Sequence, residues 1–268
     1  MPSLKEQLLD IIFPRRCLGC DILLGKERQS YVCRPCLKTI PFTKSFACAF
    51  CKSPVKNGKT CPYCIGDHFL DRLLVITSYE NPLAEKMLKT MKYRFVASLA
   101  DDIAGLMIKY LKKGMTAKLG FNSQSSLVIP VPLHFKRLNW RGFNQAENIG
   151  RQISDCLELD FAANALQRVK NKKPQAEMPD QYSRIKNAQN VFKISPIYQS
   201  STLIDYPQGR KNTITGKTIL LIDDISTTGS TLDDCARALK GAGAKEVIGF
   251  VFARGTTEAR NGRKMQKS

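Results

Sequence analysis

Residues 219–232 read ILLIDDISTTGSTL, and this stretch decides the fold. The unbroken apolar run ILLID has the character of a strand buried on both faces of a sheet. It ends on two acids, Asp223 and Asp224, at the carboxyl end of the strand, where open α/β sheets hold their ligands. Residues 225–231 form a short segment of small and hydroxylated side chains with Gly229 at its centre. Its backbone amides can close around a phosphate, helped by the hydroxyls of Thr227, Thr228, Ser230 and Thr231 and by the N-terminus of the helix that follows. Ser230 with Asp233 fits a capping signature at that N-terminus. Two adjacent carboxylates beside the loop can accept hydrogen bonds from two ribose hydroxyls. An ordinary strand-to-helix turn would explain the glycine but not paired acids ending a buried strand. The stretch therefore reads as a cradle for a sugar phosphate.

Outward from this cradle, strand and helix signals alternate. Residues 73–79 (LLVITSY) read as a strand, and Asn81-Pro82 then supplies an N-cap and first-turn proline for a helix toward Tyr93. Apolar residues recur at helical spacing over 99–111. Residues 127–131 read as a strand, 144–157 as a helix, and 165–169 and 191–194 as weaker strands. A strong strand over 218–223, a helix over 231–241 and a last strand over 246–253 complete the pattern. Such alternation predicts a mostly parallel sheet covered by helices on both faces. The polar stretches 171–189 and 198–212 read as loops over the site, and the basic tail ARNGRKMQKS as a frayed end.

Residues 1–68 have a different character. Eight of the ten cysteines lie there in four C-x-x-C pairs: Cys17/Cys20, Cys33/Cys36, Cys48/Cys51 and Cys61/Cys64. The intervening segments of twelve, eleven and nine residues are too short to build a core, so metal must supply the stability. Two pairs complete the tetrahedral sulfur shell that Zn²⁺ prefers, and four pairs imply two zinc ions, with an iron–sulfur cluster as the competing chemistry. The pairing is either sequential or cross-braced. Because every cysteine is consumed by a closed shell, the sites read as structural. Cys156 and Cys235 lie in helical patterns and read as apolar packing.

The chain of 268 residues carries a formal net charge of +19, so its surface attracts polyanions. In the cysteine module, Arg15, Arg16, Lys26, Arg28, Arg34, Lys38, Lys44, Lys52, Lys56 and Lys59 are interleaved with Tyr31, Phe42, Phe46, Phe50 and Tyr63. Cations with aromatic faces are what single-strand binding uses; the same rings could equally pad two small zinc cores. No segment approaches the roughly eighteen apolar residues of a membrane span, so membrane insertion is not expected. The N-terminal stretch lacks a signal-peptide cleavage pattern, and a cytoplasmic location is expected.

The stretch 220–231 is very similar to the 5-phosphoribosyl-1-pyrophosphate (PRPP) motif of the type I phosphoribosyltransferases, in which an acidic pair precedes a threonine-rich phosphate loop. The resemblance implies that the loop holds the 5-phosphate, the acids hold the ribose hydroxyls, and Mg²⁺ bridges ribose oxygens and pyrophosphate. Pro130-Val131-Pro132, Arg137, the segment Arg141-Gly142-Phe143-Asn144-Gln145 and the stretch 89–93 (KTMKY) resemble the ComF family of late competence proteins. Gln175, Arg184, Asn187 and Phe192 fit the same pattern, whereas Lys173 stands where a smaller polar residue is expected.

That resemblance implies a double zinc ribbon over 1–68 joined to a phosphoribosyltransferase-like α/β domain over 69–268. It further implies a part in DNA uptake during natural transformation, with single-stranded DNA, PRPP and uptake proteins such as a helicase as partners. Arg137 and Arg141 suit the pyrophosphate side as planar donors, with Gly142 allowing close backbone approach; either arginine could instead face solvent. His134 could donate to phosphate, or be incidental. If the domain is catalytic, Asp223 and Asp224 orient ribose while pyrophosphate leaves C1 through an oxocarbenium-like state. Two other readings stand beside this one, a nucleobase-salvage phosphoribosyltransferase and a PRPP-sensing regulator without turnover.

Overall fold

A computed structural model describes residues 15–25, 30–169, 191–199 and 213–255. The expectations for Lys26, Arg28, Lys173, Gln175, Arg184 and Asn187, for most of the two polar stretches, and for the tail lie outside the described residues. In chain order the elements are α1 (Arg34–Thr39), β1 (Arg72–Ser78), α2 (Pro82–Tyr93), α3 (Leu99–Tyr110), α4 (Thr116–Leu119), β2 (Ser126–Pro130), α5 (Phe135–Arg141) and α6 (Gln145–Leu157). Then follow β3 (Asp160–Phe161), β4 (Leu166–Arg168), β5 (Phe192–Ile194), α7 (Pro196–Gln199), β6 (Thr218–Ser226), α8 (Ser230–Gly241) and β7 (Glu246–Arg254).

Five strands form one parallel sheet in the order β1-β7-β6-β2-β3, while β4 and β5 pair antiparallel as a separate ribbon. From β2 the chain winds outward to β3, then returns across to β6 and β7. The order therefore reverses between β2 and β6, and a crevice opens at the carboxyl ends of those two strands. Pairing of β2 with β6 stops at Pro130 opposite Ile222, one residue before Asp223. On its other side β6 runs on beside β7 through Ile225 and Ser226. The partner strand thus extends β6 three residues past the reach of its apolar run.

Alternation along the buried strands divides the core. Leu74, Ile76, Leu220, Ile222, Ile248 and Phe250 face α2, α3 and α6, whereas Leu73, Ile219, Leu221, Val247 and Val251 face α8 and the β4–β5 ribbon. Asn81 caps α2, its side chain accepting from the Ala84 amide at 3.0 Å, and Asn144 caps α6 through the Ala146 amide at 3.2 Å. Cys235 is fully buried in the second core, while Cys156 is only half-buried.

The cysteine module shares these cores. Cys17, Val32 and Ile40 are buried in the first cluster and Ala49 in the second. At roughly 1.5–3 kcal/mol for each fully buried aliphatic side chain, this packing adds to whatever a metal supplies. Among the described residues no helix is long and apolar enough to cross a membrane.

Candidate functional site: acid pair, phosphate loop and zinc knuckles

The loop Thr227–Gly229 leaves β6 and enters α8 through Gly229, whose φ of 79° lies in the left-handed region that glycine tolerates. The N-cap residue of α8, Gly229, makes no side-chain capping bond, and the turn opens on a pocket. Thr228 Oγ1 donates to Ser230 Oγ at 3.1 Å and accepts from the Ser230 amide at 3.4 Å. Residues Asp223 and 225–232 line a pocket of about 40 Å³. All the loop residues singled out in the sequence, Thr227, Thr228, Gly229, Ser230 and Thr231, meet here.

The expected capping partnership of Ser230 with Asp233 does not form. Asp233 Oδ1 instead accepts from the amides of Phe69 at 2.7 Å and Leu70 at 3.1 Å, and Oδ2 lies 2.9 Å from His68 Nδ1. The linker into β1 presents two amides that need an acceptor, and the first turn of α8 supplies it.

Behind the loop, Asp224 is 5% exposed and ion-paired with Lys92 Nζ at 2.8 Å. Asp223 Oδ1 accepts from the Asp224 amide at 2.8 Å. Burial, together with the neighbouring charge of Asp224, pushes the Asp223 carboxyl up to about 7. The pair is thus asymmetric, with one carboxylate neutralised by lysine and the other poised to ionise near neutrality.

Two arginines complete the crevice. Arg141, at the end of α5, has a buried Nε without a partner, and its charge and that of Asp224 act on each other. Arg168, at the end of β4, also has an unpartnered buried Nε, lies 5.5 Å over the Phe192 ring, and bears on Asp223. Sequence reasoning assigned no role to Arg168, and it noted Lys92 only inside the KTMKY stretch. Their common signal is a cation closing an amphipathic element, too ordinary a feature to identify either residue.

Arg137 is exposed on α5. His134 is buried and caps that helix, Nδ1 accepting from the Lys136 amide at 3.3 Å. Burial and the charges of Arg168, Lys136 and Arg137 hold its pKa down. Gly142 ends α5 in a left-handed conformation with φ 77° and open space around it, so the turn itself requires the glycine.

The cysteines fall into two groups in sequential pairing: Cys17, Cys20, Cys33 and Cys36, then Cys48, Cys51, Cys61 and Cys64. Within each group the four sulfurs all lie within 4.8 Å of one another. A tetrahedral shell with zinc–sulfur bonds of ~2.3 Å has sulfur–sulfur edges of about 3.8 Å. Cys20 to Cys33 measures 3.7 Å and Cys51 to Cys61 3.4 Å, so both groups fit zinc. The thiols disagree sharply in acidity. Burial raises Cys17, but the amides of Cys33, Cys20 and Gly19 outweigh it and bring the thiol to about 6; the shared thiol Cys33 followed by burial pushes Cys36 up to about 12. Four ionised thiols this close need a cation among them.

The two groups sit against different parts of the fold. Beside the first, Ser30 Oγ contacts both carboxylate oxygens of Asp102 on α3 at 2.9 Å. The second reaches the phosphate loop. A Cβ on Gly229 would lie 3.3 Å from Phe50 Cε1 and 3.5 Å from the Ala49 carbonyl oxygen. Phe50 stacks on His68 with ring centroids 3.4 Å apart, and His68 meets Asp233. Arg254 Nη2 donates to the carbonyls of Cys48 at 3.1 Å and Ala49 at 2.7 Å, fixing the knuckle to the end of β7.

This packing decides between the two readings of the ribbon's aromatic residues. Phe42 meets Tyr110 edge-on at 5.7 Å, Tyr31 and Phe46 pack against the first core, and Phe50 stacks on His68. Only Tyr63, at 92% exposure, offers an open ring. Four of the five rings are padding. The cations Arg34, Lys38, Lys44, Lys52, Lys56 and Lys59 are exposed.

Comparison with known proteins agrees with this layout. A double zinc ribbon domain model matches residues 8–65, and a phosphoribosyl transferase domain model matches residues 119–268. Competence protein F of Haemophilus influenzae is 25% identical over 246 residues, covering 90% of this chain and 98% of its own length. Competence protein ComFC of Bacillus subtilis is 26% identical over 258 residues, covering 89% of this chain and 94% of its own. DNA utilization protein YhgH of Escherichia coli strain K12 is 24% identical over 218 residues, covering 75% and 86% respectively. The chain belongs to the phosphoribosyl transferase domain family, in the ComF arrangement that joins this domain to an N-terminal double zinc ribbon.

Proposed function

We propose that this protein acts in DNA uptake, binding single-stranded DNA and holding PRPP with Mg²⁺ in the crevice between β2 and β6. The observation that carries the ligand assignment is the joining of an acid pair, Asp223 and Asp224, to a left-handed loop that enters α8 and opens on a pocket. The loop amides and the hydroxyls of Thr227, Thr228, Ser230 and Thr231 take the 5-phosphate, and the acids take the ribose hydroxyls. Arg141 and Arg137 take the pyrophosphate, and Arg141 brings a buried Nε that lacks a partner.

Among the described residues, the only groups of three or more metal-ligating side chains are the two cysteine clusters. Asp223 and Asp224 would be the protein's contribution to holding Mg²⁺, which would supply charge neutralisation at the pyrophosphate. Asp223 and Asp224 are the residues that orient ribose, whether or not the ligand turns over. The DNA arm rests on the relatives named as competence and DNA utilization proteins and on the charge of +19.

Calorimetry of the full chain with PRPP and Mg²⁺, repeated with an oligonucleotide present, tests both arms. One PRPP per chain is expected, lost in Asp223→Asn with Asp224→Asn, together with salt-sensitive DNA binding. PRPP binding that survives that double substitution would overturn the site assignment.

A further inference from the structure

Open aromatic faces, of which the ribbon offers only Tyr63, gather beside the crevice, where Tyr93 follows Lys92 and bears on Arg141. Tyr93 closes α2 at 65% exposure, Phe95 follows at 41%, and Trp140 lies near the end of α5 at 58%. The Phe95 and Trp140 rings come from separate elements and meet edge to face with centroids 4.9 Å apart, leaving their outer faces uncovered. Phe95 holds a φ of 58°, a left-handed conformation that a bulky side chain adopts only against a steric cost. Burial does not explain that cost, because the ring stays substantially exposed.

The exposed charges on the two segments that carry these rings are all positive. Arg94, Lys136 and Arg137 are exposed among them, and neither residues 92–97 nor α5 carries an acid. Lys92, the residue before Tyr93, reaches down to Asp224 at 2.8 Å and ties this surface to the acid pair. Cations interleaved with open aromatic faces suit phosphates and unpaired bases.

We propose that Tyr93, Phe95 and Trp140, ringed by Arg94, Lys136 and Arg137, form a stacking platform for the bases of single-stranded DNA beside the phosphoribosyl site. The inference rests on the DNA binding proposed above and gives it a location, on the transferase domain rather than the ribbon. The link between platform and acid pair is Lys92, which precedes Tyr93 and is paired with Asp224. Duplex DNA has its ring faces stacked already and gains only the phosphate contacts.

Trp140 is the only tryptophan in the chain, so its emission reports on the platform directly. Titration of the full chain with a thymidine oligomer is expected to change that emission saturably, while a duplex of equal length leaves it nearly unaltered. In anisotropy with a labelled oligomer, Trp140→Ala and Tyr93→Ala should each weaken binding at least ~5-fold, the loss of one stacked base. Trp140→Phe should retain most of the affinity. Replacing Arg94, Lys136 and Arg137 together by Gln should flatten the salt dependence. Zinc content and melting temperature, unchanged across the variants, establish that they fold.

DNA affinity unaltered in both alanine variants, with Trp140 silent, would overturn the platform. So would an equal emission change with duplex, or self-association that Trp140→Ala abolishes while DNA binding persists. Wild-type protein that binds no oligomer at all would remove the DNA reading itself, a different failure from DNA bound elsewhere.

Discussion

The two cysteine groups have the same four ligands, the same spacing within each C-x-x-C pair and nearly the same sulfur geometry, yet they occupy different positions in the energetics of the molecule. The first packs on the face of the sheet covered by α2 and α3, with Cys17, Val32 and Ile40 in that core and Ser30 hydrogen-bonded to Asp102. The second stands beside the loop, where Ala49 and Phe50 fill the space that a Cβ on Gly229 would need and His68 reaches Asp233 on the first turn of α8. Identical ligand sets thus meet different parts of the fold, one the helix-covered face of the sheet and the other the loop proposed to hold phosphate.

The difference is most exposed to attack through the cysteines themselves. Cys61→Ser in the second group should lower PRPP affinity by roughly a hundredfold in calorimetry, since loss of the metal unseats Ala49 and Phe50 from the loop. Cys20→Ser in the first group should lower the melting temperature while leaving PRPP affinity within about threefold. Equal effects on affinity would erase the distinction. Deleting residues 1–68 would not address it, because that segment is built into both cores.

The acid pair gives an effect of comparable size. Lys92→Met leaves buried Asp224 without its cation and should cost about 3 kcal/mol of stability at neutral pH, read by denaturant unfolding. A loss below ~0.5 kcal/mol would mean that the pair is solvated in practice.

Phe50→Ala removes the ring that lies beside Gly229 and stacks on His68 while leaving all eight cysteines. It should weaken PRPP about tenfold with two zinc ions retained per chain. Unchanged affinity would show that the carbonyl of Ala49 alone seats the loop.

The pH dependence is of similar size and has a definite sign. The fold raises Asp223 to about 7, so the protonated form is favoured and ionising this group costs stability as pH rises from ~4 toward that value. Ribose hydroxyls need the ionised form as acceptor. PRPP affinity should therefore rise about tenfold between pH 6 and 8 and become flat in Asp223→Asn. The smallest effect belongs to the exposed ribbon cations. Replacing Lys44, Lys52, Lys56 and Lys59 by Gln should shift the salt dependence of DNA binding with less than threefold change at physiological salt.

Much of this was legible in the sequence. The apolar run before Asp223 and Asp224 fixed the central strand, and the hydroxyl-rich loop with Gly229 marked the cradle. Asn81-Pro82 located α2 to the residue. The cysteine pairs announced their metal but not their pairing, which depends on how the chain folds back between them. Other features depend on partners far away in sequence. Asp233 looked like a local cap because the amides of Phe69 and Leu70 that claim it come from another element. Lys92 and Arg168 became site residues only when α2 and β4 were placed beside β6. Phe50 carried no mark of its stack on His68, and the ribbon's cation and aromatic pattern suggested a binding face although four of its rings turn inward. β6 outran its apolar run because β7 offered it two further partners.

The claim that the second knuckle belongs to the sugar-phosphate site is tested most directly by the reverse coupling, since linkage between two sites must act both ways. Partition of zinc between the intact protein and a competing chelator can be measured at equilibrium with and without PRPP and Mg²⁺. One of the two zinc ions should be held several-fold more tightly when PRPP is bound, and the other with unchanged affinity. If PRPP binds by calorimetry and both ions keep their original affinities, the second knuckle is a staple like the first.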